Sequence, residues 1–149
     1  MHKLKYMKNF LPYKQSIELK KLGFDEPCLA IYTNRYTNGE IYPKAISQHE
    51  GSNVSGDKNS DFNSQSFWYV TTPLYQEVFE WFRDEKNLFA EIFIDDDKTY
   101  GYLISYFVEQ GRADKPIKRQ FKTYNEAQLA CIDVMISSIK TTTLTVKTI

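Results

Sequence analysis

Apolar side chains recur at three- and four-residue spacing between positions 72 and 88. Leu74, Tyr75, Val78, Phe79, Trp81 and Phe82 fall on one wide face, and the residues between them are mostly charged. The spacing predicts a helix, with Thr72 placed as its cap and Pro73 where a missing N–H costs nothing. Its aromatics are expected to anchor a core.

A second helix is predicted from Thr123-Tyr-Asn-Glu126, a capping box, to about Lys140. Its apolar positions run almost all round, which requires cover on two sides. A shorter helix spans Pro12 to Leu22. Gly23 then stands at C′ and Phe24 at C″, where it can pack on Leu19 in a Schellman ending.

Strand patterns lie between the helices. Residues 28–32 form a short apolar run that reads as a buried strand. Asn38-Gly39 is a hairpin signal, and the return strand over roughly 40–46 contains Pro43, which marks an edge. Strands are also predicted over 67–70 and 89–94, with a tight polar turn at Asp95-Asp96-Asp97-Lys98. The run 99–108 is apolar on both parities and reads as central. A basic loop, 111–119, and a short strand near 120–122 complete the set. Among the 19 residues from Ser47 to Gln65 only Val54 and Phe62 are large and apolar, so 47–65 reads as a mobile loop. Residues 1–11 read as a basic arm. The β-branched tail, 141–149, suits pairing with a sheet edge. The order α-β-β-loop-β-α-β-β-(β)-α predicts one α+β domain over 12–140, an antiparallel sheet with helices packed on one face.

Composition narrows the function classes. Aromatic residues make up 15% of the 149, and Gly (6) and Pro (5) are scarce, which describes a folded chain. The formal net charge is zero, so no global field favours nucleic acid or membrane. The charge is unevenly spread: the ends, 1–24 and 111–149, are basic and the middle is acidic. Opposite patches of this kind suit contact within the chain or between copies. No run is apolar enough to span a membrane, and the basic start lacks the apolar core of a signal peptide. Cys28 and Cys131 lie in apolar surroundings and read as buried free thiols, which fits a reducing, cytoplasmic setting.

Few residues suggest chemistry. The two histidines, His2 and His49, have no His or Cys neighbour at metal-ligand spacing. Asp95, Asp96 and Asp97 lack the glycine and distal glutamate of a calcium loop. There is no phosphate loop and no nucleophile elbow. No catalytic, cofactor or metal residue is therefore assigned, and the chain reads as non-enzymatic. Two sets of binding residues remain. Lys115, Lys118, Arg119 and Lys122 form a small basic patch suited to a phosphate backbone. Tyr36, Tyr42, Trp68 and Tyr102 are strand aromatics suited to a protein interface.

Two resemblances add to this reading. From Leu74 to Lys140 the order helix, strand, strand, short strand, helix resembles the double-stranded-RNA-binding domain. That family places a Lys-rich helix N-terminus on phosphates; here the segment is Lys122-Thr-Tyr-Asn-Glu-Ala127, where only Lys122 is basic and Glu126 repels phosphate. Separately, Leu19-Lys-Lys-Leu-Gly-Phe-Asp-Glu-Pro-Cys28, Thr72-Pro-Leu-Tyr-Gln-Glu-Val-Phe-Glu-Trp-Phe-Arg83 and Phe121-Lys-Thr-Tyr-Asn-Glu-Ala-Gln-Leu-Ala-Cys131 are similar to a family of small phage and prophage proteins of Bacteroidetes-type bacteria. That resemblance implies an intracellular accessory protein of a mobile element and carries no activity or ligand. The expectation is a protein that works by protein–protein contact, including contact with its own copy, with nucleic acid binding as the alternative.

Overall fold

The computed structural model describes residues 7–33, 42–45, 58–61 and 69–146. The fold is α+β, as expected, with two antiparallel sheets where the sequence suggested one. The chain, read from its sequence as one domain over 12–140, divides into two compact units, 1–74 and 75–149.

In the first unit α1 spans Tyr13–Lys21, β1 Ala30–Thr33, β2 Tyr42–Ala45 and β3 Tyr69–Thr72. The sheet order is β2-β1-β3, so the Pro43-bearing β2 is an edge. The hairpin signal at Asn38-Gly39 lies outside the described residues. α1 ends as predicted. The Phe24 N–H donates to the Leu19 carbonyl and the Gly23 N–H to that of Lys20, with Gly23 at φ 92°. Leu19 and Phe24 are both buried.

Residues 7–11, expected as part of the arm, are held. Met7–Asn9 form a 3-10 turn, Leu11 is fully buried, and its N–H donates to the Pro73 carbonyl. The Leu11 carbonyl accepts from the Thr72 hydroxyl at 2.7 Å and the Tyr32 hydroxyl at 3.0 Å. Those two donors use both of its lone pairs. The Ser16 hydroxyl, 3.3 Å from the same oxygen, therefore has its better acceptor in Pro12, at 3.1 Å. Thr72 is thus the last residue of β3 and not a helix cap; its hydroxyl serves a carbonyl 61 positions away.

Within the polar loop the structure describes residues 58–61. Asn59, in a 3-10 turn over Asn59–Asp61, is buried and uses both ends of its amide: Nδ2 donates to the Phe24 carbonyl (2.8 Å) and Oδ1 accepts from the Thr71 N–H (3.1 Å).

In the second unit α2 spans Tyr75–Lys86, β4 Leu88–Ile94, β5 Tyr100–Val108, β6 Gly111–Asp114, β7 Lys118–Phe121 and α3 Tyr124–Val146. β5 is central, as its two apolar faces predict. β4 pairs with one edge of it, and β6 and β7 share the other. The segment read as a basic loop is therefore mostly strand. Side chains opposite one another across an antiparallel pair share a face. Leu88, Tyr102 and Ile104 are buried on the face covered by α2 and α3, and Tyr100 meets Tyr124 of α3 edge-on. Tyr75, Trp81 and Phe82 of α2 are buried core side chains, and Phe79 is half-buried.

The capping box forms as predicted. Thr123 Oγ1 accepts from the Glu126 N–H, and Glu126 Oε2 accepts from the N–H groups of Thr123 and Lys122. α3 does not stop near Lys140: it runs to Val146 and takes in most of the tail expected at a sheet edge. The hydroxyls of Ser137, Ser138 and Thr141 donate back to the carbonyls four residues earlier, which lets these weak helix formers satisfy themselves inside a helix.

Candidate functional site

The basic residues chosen from the sequence do not form one patch. Lys115 follows β6, and its ammonium lies 5.9 Å from the Tyr106 ring. Tyr106 pairs with Leu88, so that is the helix side of the sheet. Arg119 lies over the Phe93 ring at 5.1 Å and pairs with Asp95. Phe93 pairs with Gly101, on the opposite parity and hence the opposite face. Lys118 and Lys122 are exposed. The aromatic set divides as well. Tyr102 is only 4% exposed and stacks on Phe121, so it is a core side chain and not an interface residue. Tyr36 and Trp68 lie outside the described residues, and of Tyr42 only the backbone is described, paired with Thr33.

The three aspartates form a turn. The Lys98 N–H donates to the Asp95 carbonyl, and Lys98 takes φ 63°. The Thr99 hydroxyl and N–H both donate to Asp97 Oδ1, which holds that carboxyl below the usual carboxylate range. Among the described residues no three His, Cys, Asp or Glu side chains are grouped to hold a metal. Cys131 is buried, and burial pushes its thiol up to about 12, which leaves it protonated and unreactive at neutral pH.

Two surfaces of the second unit were not legible in the sequence. The first is the sheet face away from the helices. Phe89 and Phe107 meet edge-on there, centroids 5.2 Å apart, with Phe107 53% exposed. Phe93 lies across Gly101, and Leu103 is half-buried between them. Charges flank these apolar groups: Glu91 on β4, and Arg112 and Arg119 on β6 and β7. Arg112 Nε donates to Asp114 Oδ1 at 2.8 Å; that contact, with the Ser105 hydroxyl, holds the Asp114 carboxyl below its usual range. The alternation Phe89, Glu91, Phe93 was visible, but which parity the helices leave open was not.

The second surface is a groove of about 620 Å³ on the helix side, where the α2–β4 junction, the end of β5 and the C-terminal half of α3 meet. Asn87 makes the junction in a single residue by adopting φ 55°, a conformation asparagine tolerates, and its Nδ2 donates to the Phe107 carbonyl. Leu88, Val134 and Ile139 supply apolar walls, and Lys86 and Lys115 stand at the groove. No Asp or Glu lines it among the described residues.

Comparison of the chain with protein-family models, curated proteins and solved structures gives no match. Among the described residues no helix is long and apolar enough to cross a membrane.

Proposed function

We propose that this is a non-enzymatic accessory protein of a phage or prophage that works by protein–protein contact, with the helix-free face of the second unit's sheet as the contact surface and a second copy of the chain as occupant. The observation that carries the reading is Phe107. It is a phenyl ring 53% exposed beside Phe89, on a face whose apolar middle is flanked by charges of both signs. Exposed apolar patches rimmed by polar groups are typical of association sites. The distribution of charge suits a two-fold contact. An axis along the strands lays the β4 edge of one copy, with Glu91, over the β6/β7 edge of the other, with Arg112 and Arg119, which share their charge there with Asp114 and Asp95 of their own copy. Two sheets packed this way have aligned strands, a common sheet-on-sheet geometry. The mobile-element setting follows the resemblance of the three sequence segments, and the buried thiols suit the bacterial cytoplasm.

Solution mass by light scattering tests the reading. The expected mass is that of two chains at about 100 μM, falling to one chain in Phe107→Glu with an unchanged circular dichroism spectrum. A single-chain mass for the parent at about 1 mM, a concentration that still populates a weak dimer, would refute it.

The alternative is a nucleic-acid-associated module. The second unit runs α-β-β-β-β-α, one strand more than that family's order; its antiparallel strands between two helices and the exposed Lys118 and Lys122 favour it. It requires RNA or DNA binding that weakens steeply with salt and is lost in Lys118→Glu/Arg119→Glu. Binding that survives both changes rules these residues out.

A further inference from the structure

We infer that the groove between the α2–β4 junction and the C-terminal half of α3 binds a small amphipathic anion, a carboxylate or phosphate monoester carrying an aliphatic chain. Its volume, about 620 Å³, is within the range of small-molecule pockets. The polar groups around it sort by what they have left to offer. The hydroxyls of Ser137, Ser138 and Thr141 already donate to helix carbonyls, so toward the groove they present only lone pairs. The Asn87 amide nitrogen is engaged by the Phe107 carbonyl.

Lys86 and Lys115 supply the charge. Each rests against an aromatic ring, Lys86 4.8 Å from the centre of Trp81 and Lys115 5.9 Å from that of Tyr106, and neither ammonium is in an ion pair among the described residues. Aromatic faces position both side chains without neutralising them. Two uncompensated cations beside walls of Leu88, Val134 and Ile139 select a ligand that is anionic at one end and apolar along its length. A neutral alcohol of the same length leaves both ammonium groups without an anionic partner, and a short anion leaves the apolar walls wet.

The probes are sodium dodecanoate, dodecyl phosphate and dodecanol, each below its micelle concentration, with the full chain. Titration calorimetry is expected to give saturable one-to-one binding of the two anions, with dodecanol about tenfold or more weaker. Amide shifts in NMR are expected to centre on Ser137, Ser138 and Ile139. Lys86→Gln/Lys115→Gln should weaken both anions by about tenfold, the order expected for two exposed ion pairs. Lys86→Arg/Lys115→Arg should retain them and also controls for folding. Binding by one anion only assigns the head group. Failure of both anions to bind below about 1 mM overturns the site, as does equal binding of dodecanol or undiminished binding by the folded glutamine variant.

Discussion

Gly101→Ala tests how tightly the second unit's sheet is closed. A Cβ built on Gly101 lies 2.6 Å from Cζ of Phe93 and 2.7 Å from the Lys118 carbonyl oxygen, where ordinary contacts begin at 3.4 Å. The ring can retreat, but only by leaving the Arg119 guanidinium stacked 5.1 Å from its centre, a contact worth about 0.5–1 kcal/mol at an exposed site. The Lys118 oxygen is backbone, so its retreat of about 0.7 Å strains the β5–β7 pairing at Tyr102 and Lys118. Overpacking of this kind costs about 1–3 kcal/mol, against about 0.4–1 kcal/mol gained by stiffening the unfolded chain. The expected net loss is about 2 kcal/mol. For a cooperative unit of this size that lowers the melting temperature by about 10 °C. Thermal melts by circular dichroism measure it, and a double-mutant cycle with Phe93→Leu divides the two clashes. Coupling between positions 93 and 101 reports the ring, and the remainder reports the β7 backbone. A melting temperature within about 1 °C of the parent, or additive single changes, would refute the reasoning.

Three further outcomes follow from the packing. Asn59→Ala removes the hydrogen bonds its amide makes to the Phe24 carbonyl and the Thr71 N–H and should cost about 2–4 kcal/mol in urea denaturation; a loss below about 0.5 kcal/mol would mean the turn at 59–61 is not held by this amide. Thr71→Val should raise stability by about 1 kcal/mol, because the Thr71 hydroxyl is buried with no partner among the described residues and valine keeps the β-branched shape; a destabilised variant contradicts this. Cys131 is expected to resist Ellman's reagent at pH 8 until the chain is unfolded. Its thiol is raised in the folded state, so its contribution to stability is complete below the unfolded thiol value near 8.5 and is lost as pH rises toward 12. Cys131→Ala should therefore lose stability less steeply than the parent over that window, and parallel curves would count against the shift.

Local chemistry was legible in the sequence. The Schellman ending at Gly23 and Phe24, the capping box at Thr123 and Glu126, and the central position of β5 each depend on residues within a few positions of one another. Distance in sequence hid the rest. Thr72 has the right type and place for a helix cap, but the Leu11 carbonyl claims its hydroxyl from 61 positions away. Asn59 resembles its polar neighbours until Phe24 and Thr71 close around it. β6, Gly-Arg-Ala-Asp, carries almost no apolar signal because an edge strand can be held by main-chain pairing, here to Ser105–Val108. The tail from Thr141 has strand-like composition, and the helix continues into it as far as Val146. Among the candidate site residues, Lys115 and Arg119 are four positions apart yet lie on opposite faces, since no sequence pattern reported the break between β6 and β7.

The order of the strands also has a kinetic side. In the second unit, Ile94 pairs with Tyr100 and Val108 with Gly111, so its meander needs only short loops to close. In the first unit, Ala30 must find Thr72 before β1 and β3 can pair, and Leu11 must find Thr72 across a still longer stretch. Closing longer loops costs more entropy before any contact repays it, so low contact order favours the later half of the chain. During synthesis the first unit emerges first, but its sheet cannot close until Tyr69–Thr72 has left the ribosome. Pulse-labelled hydrogen exchange should then find the β4–β5 amides protected ahead of those of β1.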